Sequence, residues 1–131
     1  MYYNRQDMYN DYSMKHIPYI YNTIFNRDTD VCFEWGFGDT TSLQFNFCFT
    51  DEDVNPTWVT KTVTVTIYNF RYEEMFSVTV PGNEHLVIPI DEETSLTFPK
   101  GVYYCGVKVY DSFDNSVTTV IDPDNCLIMV R

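Results

Sequence analysis

Acidic residues between the apolar runs are the first candidates for chemistry in this sequence. Carboxylate oxygens are the ligands that Ca²⁺ prefers, and two facing carboxyl groups can hydrolyse a glycosidic bond. The spacing of an EF-hand is absent, however, and nothing in the sequence brings two of these groups into one cleft. We therefore interpret them as solvent-exposed turn residues and retain calcium binding as the alternative. The residues concerned are Asp51, Glu52, Asp53, Asp111, Asp114, Asp122 and Asp124.

The histidines and the common catalytic motifs argue against an enzyme. His16 and His85 lie in unrelated contexts, and His85 comes soon after a Pro-Gly-Asn turn, which predicts a surface position. The sequence contains no Gly-x-Ser-x-Gly, no His-Glu-x-x-His and no phosphate-binding loop. We therefore predict no catalytic residue, no cofactor and, apart from the calcium alternative, no metal site.

Four cysteines, Cys32, Cys48, Cys105 and Cys126, are spread along the chain without a Cys-x-x-Cys pair. In an oxidising compartment four cysteines would allow three disulfide connectivities. Because the N-terminus lacks a basic start followed by an apolar run, we expect no secretory signal and therefore reduced thiols. Cysteines within strands are then expected to behave as small buried apolar residues.

From residue 31 onward apolar residues recur at every second position, and turn formers separate the runs. This period is typical of strands with one buried face and one solvated face. Eight short strands are predicted, in two antiparallel sheets packed face to face. The segments 73–76 and 92–95 are the only candidates for a single helical turn. The predicted buried faces carry Val31, Phe33, Trp35 and Phe37; Leu43, Phe45, Phe47 and Phe49; Val63, Val65 and Ile67; Phe76, Val78 and Val80; Leu86, Ile88 and Ile90; Tyr103, Cys105, Val107 and Val109; Val117, Thr119 and Ile121; and Cys126, Ile128 and Val130.

Residues 1–30 differ in texture and are predicted to form an extended N-terminal arm beside a domain at 31–131. They hold six of the eleven tyrosines and show no lasting period of either kind. Tyrosine supplies a large contact area and a hydroxyl group, so we expect this arm to bind a partner protein. Residues 16–25 are the best candidates to dock, across a neighbour's surface or as a strand on its sheet edge. The predicted partner-binding residues are Tyr2, Tyr3, Tyr9, Tyr12, His16, Ile17, Tyr19, Ile20, Tyr21, Ile24 and Phe25.

The charge balance excludes two classes of partner. The formal net charge is −11, and the 8 lysines and arginines are scattered, so the surface repels phosphate and nucleic-acid binding is not expected. No segment approaches the ~20 apolar residues that span a bilayer, so no membrane partner is expected.

Three stretches of the domain resemble a known family. They are GFGDTTSLQFNF (36–47), KTVTVTIYNF (61–70) and FPKGVYYCGVKVYDSFDNSVTTVIDPDNCLIMV (98–130). Their order, the Gly-Asp-Thr opening and the Gly-x-Tyr-Tyr strand resemble the immunoglobulin-like N-terminal domain of phage baseplate upper proteins over roughly residues 31–131. The resemblance implies an immunoglobulin-like antiparallel β-sandwich of about 7–9 strands that docks on other virion proteins.

The Tyr-Tyr-Cys sequence at 103–105 is also similar to the penultimate strand of immunoglobulin domains, in which the cysteine bonds a partner across the sandwich. Cys48 and Trp58 precede Cys105 in the order of such a domain. Cys48, however, is out of phase with Leu43 and Phe49, so it is predicted to face away from them. A disulfide between the sheets is therefore not expected.

The function predicted is that of a non-enzymatic bacteriophage virion protein, assembled in the host cytoplasm. Since a tyrosine-rich arm accompanies a small sandwich, we expect an auxiliary or decoration protein held on the capsid by its arm, with a tail or baseplate position as an alternative. The expected partners are capsid or tail subunits, and self-association is retained as a further possibility. The sequence is also compatible with an envelope adhesin and with a carbohydrate-binding module. The module's stacking platforms would be drawn from Trp58, Tyr68, Tyr72 and Tyr110.

Overall fold

Most of the described strands follow the predicted alternation, and all but one of them lie within residues 31–131. The computed structural model describes residues 19–20, 31–49 and 53–131, with only the backbone described at residues 19, 20 and 31. The strands are β1 (Tyr19–Ile20), β2 (Val31–Trp35), β3 (Thr41–Asn46), β4 (Lys61–Tyr68), β5 (Glu74–Pro81), β6 (His85–Ile90), β7 (Gly101–Asp111), β8 (Ser116–Ile121) and β9 (Leu127–Val130). A one-turn helix α1 (Glu92–Ser95) and a 3-10 turn (Pro123–Asn125) complete the described elements.

These strands form two sheets of unequal size. The smaller sheet has the order β1-β3-β6, and the larger has the order β2-β9-β7-β4-β5, with β8 paired to β7. Strand β2 runs parallel to its neighbour β9, the last strand along the chain. The prediction of wholly antiparallel sheets is therefore wrong. A parallel pair needs a long crossover, and here the intervening chain from β3 to β8 provides it. Alternation reports which face a residue occupies but carries no information on strand direction.

One apolar core is shared by the two sheets. Phe33 of the larger sheet meets Phe45 of the smaller sheet edge-on, with 5.5 Å between ring centroids. The predicted buried faces of β3, β4, β6 and β7 are confirmed, and β5 is half-buried because it lies at an edge. Burying the aromatic and branched side chains of these faces is the main stabilising contribution to the fold.

Two bulges shift the phase of the alternation and correct the predicted faces. In β2 the register changes between Val31 and Phe33, and Cys32 is buried next to Phe33. In β8 a shift opposite Val107 buries Val120 and Ile121 together and leaves Val117 62% exposed. A bulge adds one residue to one strand, so every residue beyond it changes face.

Local turn chemistry agrees with the sequence at several points. Gly38 has a φ of 83° in a turn closed by a 2.9 Å bond from the Asp39 N–H to the Gly36 carbonyl, the geometry of a type II turn. The helical turn at 92–95 is confirmed, and Asp91 caps it by accepting a 2.8 Å bond from the Thr94 N–H. The other candidate, 73–76, belongs largely to β5 instead.

Candidate functional site

The predicted partner-binding arm enters the described structure at one point. Tyr19 and Ile20 form β1, which pairs antiparallel with Asn46 and Phe45 of β3. The arm is therefore joined by its backbone to the edge of the smaller sheet of its own domain. The other predicted arm residues lie outside the described residues: Tyr2, Tyr3, Tyr9, Tyr12, His16, Ile17, Tyr21, Ile24 and Phe25.

Strand β3 is longer than the segment that covers it. On one side β6 pairs with all of Thr41–Asn46, whereas on the other side β1 pairs only with Phe45 and Asn46. A strand at the edge of a sheet can pair with a further extended segment, and β1 uses the edge of β3 in this way.

A polar pair marks the end of this edge. The His85 Nδ1 atom of β6 lies 2.7 Å from the Asn46 Oδ1 atom of β3, and the two residues are partners in the strand register. His85 is exposed, which confirms its predicted surface position. The pair links the two strands beside the point where β1 joins them.

The described residues contain a buried ion pair, which the sequence analysis missed. Lys61 at the start of β4 and Asp111 at the end of β7 are register partners, and Lys61 Nζ lies 3.2 Å from Asp111 Oδ2. The side chains are only 4% and 9% exposed. The interpretation of Asp111 as a solvated turn acid is therefore wrong. A pattern in the sequence could have revealed it, since both residues fall in the buried phase of their strands.

Every hydrogen-bonding position of this pair is occupied. Lys61 Nζ also donates to the Thr57 carbonyl, at 2.7 Å, and to the Asn55 carbonyl. Asp111 accepts from the Thr60 hydroxyl at 2.7 Å, the Asn55 side-chain amide at 3.0 Å and the Phe113 N–H at 2.9 Å. An ammonium group has three donors, and all three are used. The pair therefore holds the 53–60 loop against β7 and has no remaining donor to offer a substrate.

The protonation state of Asp111 follows from these contacts. Burial raises the pKa of the carboxyl group, but the hydrogen bonds from Thr60, Asn55, the Phe113 N–H and Lys61 outweigh it and hold the pKa well below its usual range. The ring of Phe49, with its centroid 5.2 Å from Lys61 Nζ, makes a cation–π contact with the ammonium group. We interpret this charged cluster (Asn55, Thr60, Lys61 and Asp111) as a structural element.

A second polar arrangement lies at the other end of β4 and β7 and is exposed. Tyr72, in the turn between β4 and β5, stacks on Tyr104 of β7 with ring centroids 4.8 Å apart and planes 12° apart. Its hydroxyl donates a 2.5 Å bond to Asp124 Oδ1, and this bond is the largest of the influences that raise the pKa of Tyr72 to about 12. This tyrosine stack (Tyr72 and Tyr104) presents a fixed aromatic surface, since Tyr72 remains 51% exposed.

The turn that carries Tyr72 is held rigidly. Asn69 Oδ1 accepts from the N–H groups of Arg71 at 2.8 Å and Glu73 at 3.0 Å. Tyr72 itself has a φ of 61°, a left-handed value that costs on the order of 1–3 kcal/mol for a residue other than glycine. Next to it Phe70 is 68% exposed, with the Arg71 guanidinium 5.3 Å from its ring centroid. The Asn69 bonds and the stack hold the turn in this conformation.

The other aromatic residues proposed as stacking platforms are less available. Trp58 is half-buried against Phe47 and Phe49, with ring centroids 5.7 and 4.8 Å away. Tyr68 is also half-buried. Tyr110 is 39% exposed, and its hydroxyl donates to the Asn115 side chain at 2.7 Å. Among the four, Tyr72 exposes the largest fraction of its ring side chain, and it is the only one stacked on a second tyrosine among the contacts described.

Two other predicted turn acids, Asp114 and Asp122, cap turns. Asp114 accepts from the Ser116 N–H and Asp122 from the Asp124 N–H, both at 3.0 Å. These bonds are the local side chain-to-backbone contacts expected of aspartates in turns. In the described part of the chain no group of three or more His, Cys, Asp or Glu side chains is arranged so that it could hold a metal ion, and Asp51 and Glu52 lie outside that part.

No family model and no curated protein matches the chain. The described residues also contain no helix that has both the length and the apolar character needed to cross a membrane.

Proposed function

We propose that this protein is a non-enzymatic structural protein of a bacteriophage particle, an auxiliary or decoration protein attached to the capsid through its N-terminal arm. The observation that carries the proposal is the pairing of β1 with the edge of β3. Among the described residues, this pairing joins the arm to the body, and the proposal assigns the attachment to a neighbouring subunit to the arm as a whole. A position on the tail or baseplate is the alternative within the same class.

The composition of the arm supports a binding role. Six tyrosines in thirty residues are more than an unstructured tail usually carries, because such tails are poor in aromatic residues. Strand β1 pairs with the edge of β3 in the smaller sheet. In an assembled particle this edge is where the arm of the same or of a neighbouring subunit extends its pairing. The net charge of −11 keeps free subunits apart before assembly.

We further propose that the body is an immunoglobulin-like sandwich, as the resemblance to baseplate upper proteins implies. Supporting features are the two sheets around one core and the position of Tyr103 on β7. Its hydroxyl donates a 2.5 Å bond to the Pro99 carbonyl, and it precedes Cys105 by two residues. A tyrosine at this place, bonded to backbone a few residues upstream, is the tyrosine corner of such domains.

A non-enzymatic role is supported by the state of the buried ionisable pair. Lys61 and Asp111 bond each other and their loop partners, so neither is poised to exchange a proton with a substrate. A rigid body suits a protein whose task is attachment.

Two truncations test the attachment proposal. Removing residues 1–25 deletes β1, whereas removing residues 1–18 keeps it, so the pair separates the role of the strand from that of the leading segment. Both truncated proteins are expected to stay folded by circular dichroism and to fail to co-sediment with particles that lack the native protein. Full co-sedimentation of the 1–25 deletion would end the proposal.

A matched pair of double variants tests the strand itself. Replacing Tyr19 and Ile20 by proline removes both backbone N–H groups of β1, whereas replacing both by alanine keeps them. If backbone pairing with β3 positions the arm, the proline variant loses particle binding and the alanine variant keeps a large part of it. Equal loss in both would assign the effect to the side chains instead.

A carbohydrate-binding role is the second candidate, and the exposed tyrosine stack favours it. Tyr72 is immobilised by Tyr104, by Asp124 and by its turn, and an ordered aromatic face suits a sugar ring at low entropic cost. A glycan array of bacterial surface sugars, followed by calorimetry on any hit, separates the two roles. Binding by the isolated protein that Tyr72→Ala abolishes and Tyr110→Ala preserves would favour this candidate.

A further inference from the structure

Three of the four cysteines come together in the core. Cys32 of β2, Cys105 of β7 and Cys126, just before β9, are each at most 1% exposed. Their strands are neighbours in the larger sheet, since β9 lies between β2 and β7. Cys48 is half-buried and follows β3 in the smaller sheet. All four are thiols rather than disulfides in the structure.

Cys105 and Cys126 face each other across an antiparallel ladder. The β7–β9 register pairs Tyr104 with Leu127, and its next step sets Cys105 opposite Cys126. The Cys105 N–H donates a 2.9 Å bond to the Cys126 carbonyl, which confirms that step. Opposed residues in such a pair have Cα atoms about 5.5 Å apart, within the range of about 4.4–6.8 Å found for disulfides. Their side chains leave the sheet on the same face, toward the core.

Cys32 brings a third thiol to the same place. It occupies the bulge of β2, and its sulfur lies 3.9 Å from the Asn125 carbonyl, directly before Cys126. The thiols of Cys105 and Cys32 are both within hydrogen-bonding reach of Cys126, and burial together with these neighbours raises the pKa of the Cys126 thiol. The three residues form a thiol cluster (Cys32, Cys105 and Cys126), in which the Cys126 thiol is held in its protonated, slowly reacting form while the sheet is closed.

We propose that Cys105 and Cys126 are a modification site and form an internal disulfide with a low-molecular-weight disulfide, such as oxidised glutathione, as the oxidant. The Cys105 thiolate attacks one glutathione sulfur, which makes a mixed disulfide and releases one glutathione thiolate. The Cys126 thiolate then attacks the protein sulfur of that mixed disulfide and releases the second glutathione. Two electrons pass from the cysteines to the oxidant, and the two released thiolates take up the two protons.

The reaction proceeds in molecules whose β9 has opened. Strand β9 has four residues, and β2, its other neighbour, has no second strand beside it among the described elements. Short strands near a sheet edge open locally more often than the centre does. Once formed, the bond ties β9 to β7, the central strand of the larger sheet, and encloses β8. The inference rests on the cluster's geometry and does not depend on the proposed function.

Peptide mapping of the wild-type protein tests this directly. The protein is equilibrated with oxidised glutathione in mild urea, returned to native buffer, alkylated without reduction and digested with trypsin. Cleavage after Arg27, Lys61, Lys100 and Lys108 places Cys105 on 101–108, Cys126 on 109–131, and Cys32 with Cys48 on 28–61. The expected product is a link between 101–108 and 109–131 that is two hydrogen atoms lighter than the separate peptides.

Other results of this mapping overturn the assignment. Alkylation of all four cysteines, or a dominant link from 28–61 to either of the other peptides, would refute it. Among variants, Cys126→Ala is expected to yield no link between 101–108 and another peptide. Cys48→Ala is expected to keep the link between 101–108 and 109–131.

A stability measurement gives an independent readout. Oxidised wild-type protein is expected to unfold at a higher urea concentration than the reduced protein, because the bond restricts the unfolded chain. Adding a reductant should reverse the shift, and Cys126→Ala should show none. An identical midpoint before and after reduction of the linked protein would contradict the proposed tie between β9 and β7.

Discussion

The two ends of the β4–β7 ladder hold a carboxylate in opposite environments. At one end Lys61 pairs with Asp111 in the core; at the other, where Tyr68 pairs with Tyr104, Tyr72 bonds Asp124 in solvent. The Asp111 carboxylate accepts four hydrogen bonds. For the Asp124 carboxylate, one hydrogen bond from another side chain is described, that from Tyr72. A buried charge is tolerated only when its bonding positions are filled, whereas water completes the shell of an exposed one.

The difference separates stability from recognition. The charged cluster fixes a loop to the sheet and is inaccessible, so its loss is expected to affect folding. The tyrosine stack leaves half of Tyr72 exposed on a rigid turn, so its loss is expected to affect binding and to leave folding nearly unchanged. Substitutions at each end of the ladder can therefore be compared directly.

The largest effect is expected for Asp111→Ala. It leaves the Lys61 ammonium group buried without its counter-ion, and such a change costs about 3–5 kcal/mol of unfolding free energy. Urea denaturation followed by tryptophan fluorescence measures it. The exposed acid Glu84 provides the control, and Glu84→Gln should stay within about 0.5 kcal/mol of wild type. A loss below about 1 kcal/mol for Asp111→Ala would mean that water reaches the pair.

A smaller loss is expected for Thr60→Val. The substitution keeps the shape of the side chain and removes the 2.7 Å hydrogen bond to Asp111. A bond to a charged group contributes about 1.5–3 kcal/mol. Thr64→Val is the matched control, since its hydroxyl pairs with Thr79 on an exposed face and such a pair contributes about 0.2–1 kcal/mol. Equal losses in the two variants would contradict the special position of Asp111.

The acid limb of the stability curve should report Asp111. Its pKa is lower in the folded protein than the 3.8 of an unperturbed carboxyl group, so the stabilisation is present above pH 3.8 and is lost as the pH falls toward the folded pKa. Urea midpoints measured between neutral pH and about pH 2 should fall more steeply for wild type than for Asp111→Asn. Parallel curves would show that other carboxyl groups govern the acid limb.

The smallest effect on stability is expected at the tyrosine stack, where titration is the informative measurement. Asp124→Asn weakens the hydrogen bond that contributes most to the raised pKa of Tyr72 and removes the negative charge beside it, so this pKa should move from about 12 toward 10.0. The contribution of the bond is present below pH 10 and disappears as the pH rises through about 12. The titration of Tyr72 is followed by tyrosinate absorbance, as the difference between the protein and its Tyr72→Phe variant. Asp114→Asn should leave the titration curve of Tyr72 unchanged. An unshifted pKa of Tyr72 in Asp124→Asn would mean that Asp124 is not what raises it.

Much of the sheet could be predicted from alternation, and the limits of the prediction have local causes. Strands β4 and β7 alternate so regularly that their buried faces follow directly from the sequence. Lys61 and Asp111 occupy the next position on those buried faces. A charged residue at such a position is usually assumed to be exposed, so the alternation alone did not reveal the pair. The bulges at Cys32 and Val120 could not be foreseen, because an inserted residue leaves no mark in composition.

The candidate sites were less predictable than the strands. Tyr72 was one of four residues proposed as stacking platforms for a sugar. The tertiary structure bonds its hydroxyl to Asp124 at the surface, whereas Trp58 packs against Phe47 and Phe49. The attachment role of residues 1–30 remains a prediction, with β1 as its one structural anchor among the described residues. The thiol cluster depends on three residues that are more than twenty positions apart in the sequence.

By itself the sequence determined that this is an all-β chain and which side of most strands is buried. Side-chain direction along a strand is a local property that recurs every two residues, so it can be read without knowing the neighbours. Only the tertiary structure decided that β2 runs parallel to β9, that Lys61 meets Asp111 and that three thiols share one site. These depend on which strands pair and in which register, and that choice is made by the packing of the whole core.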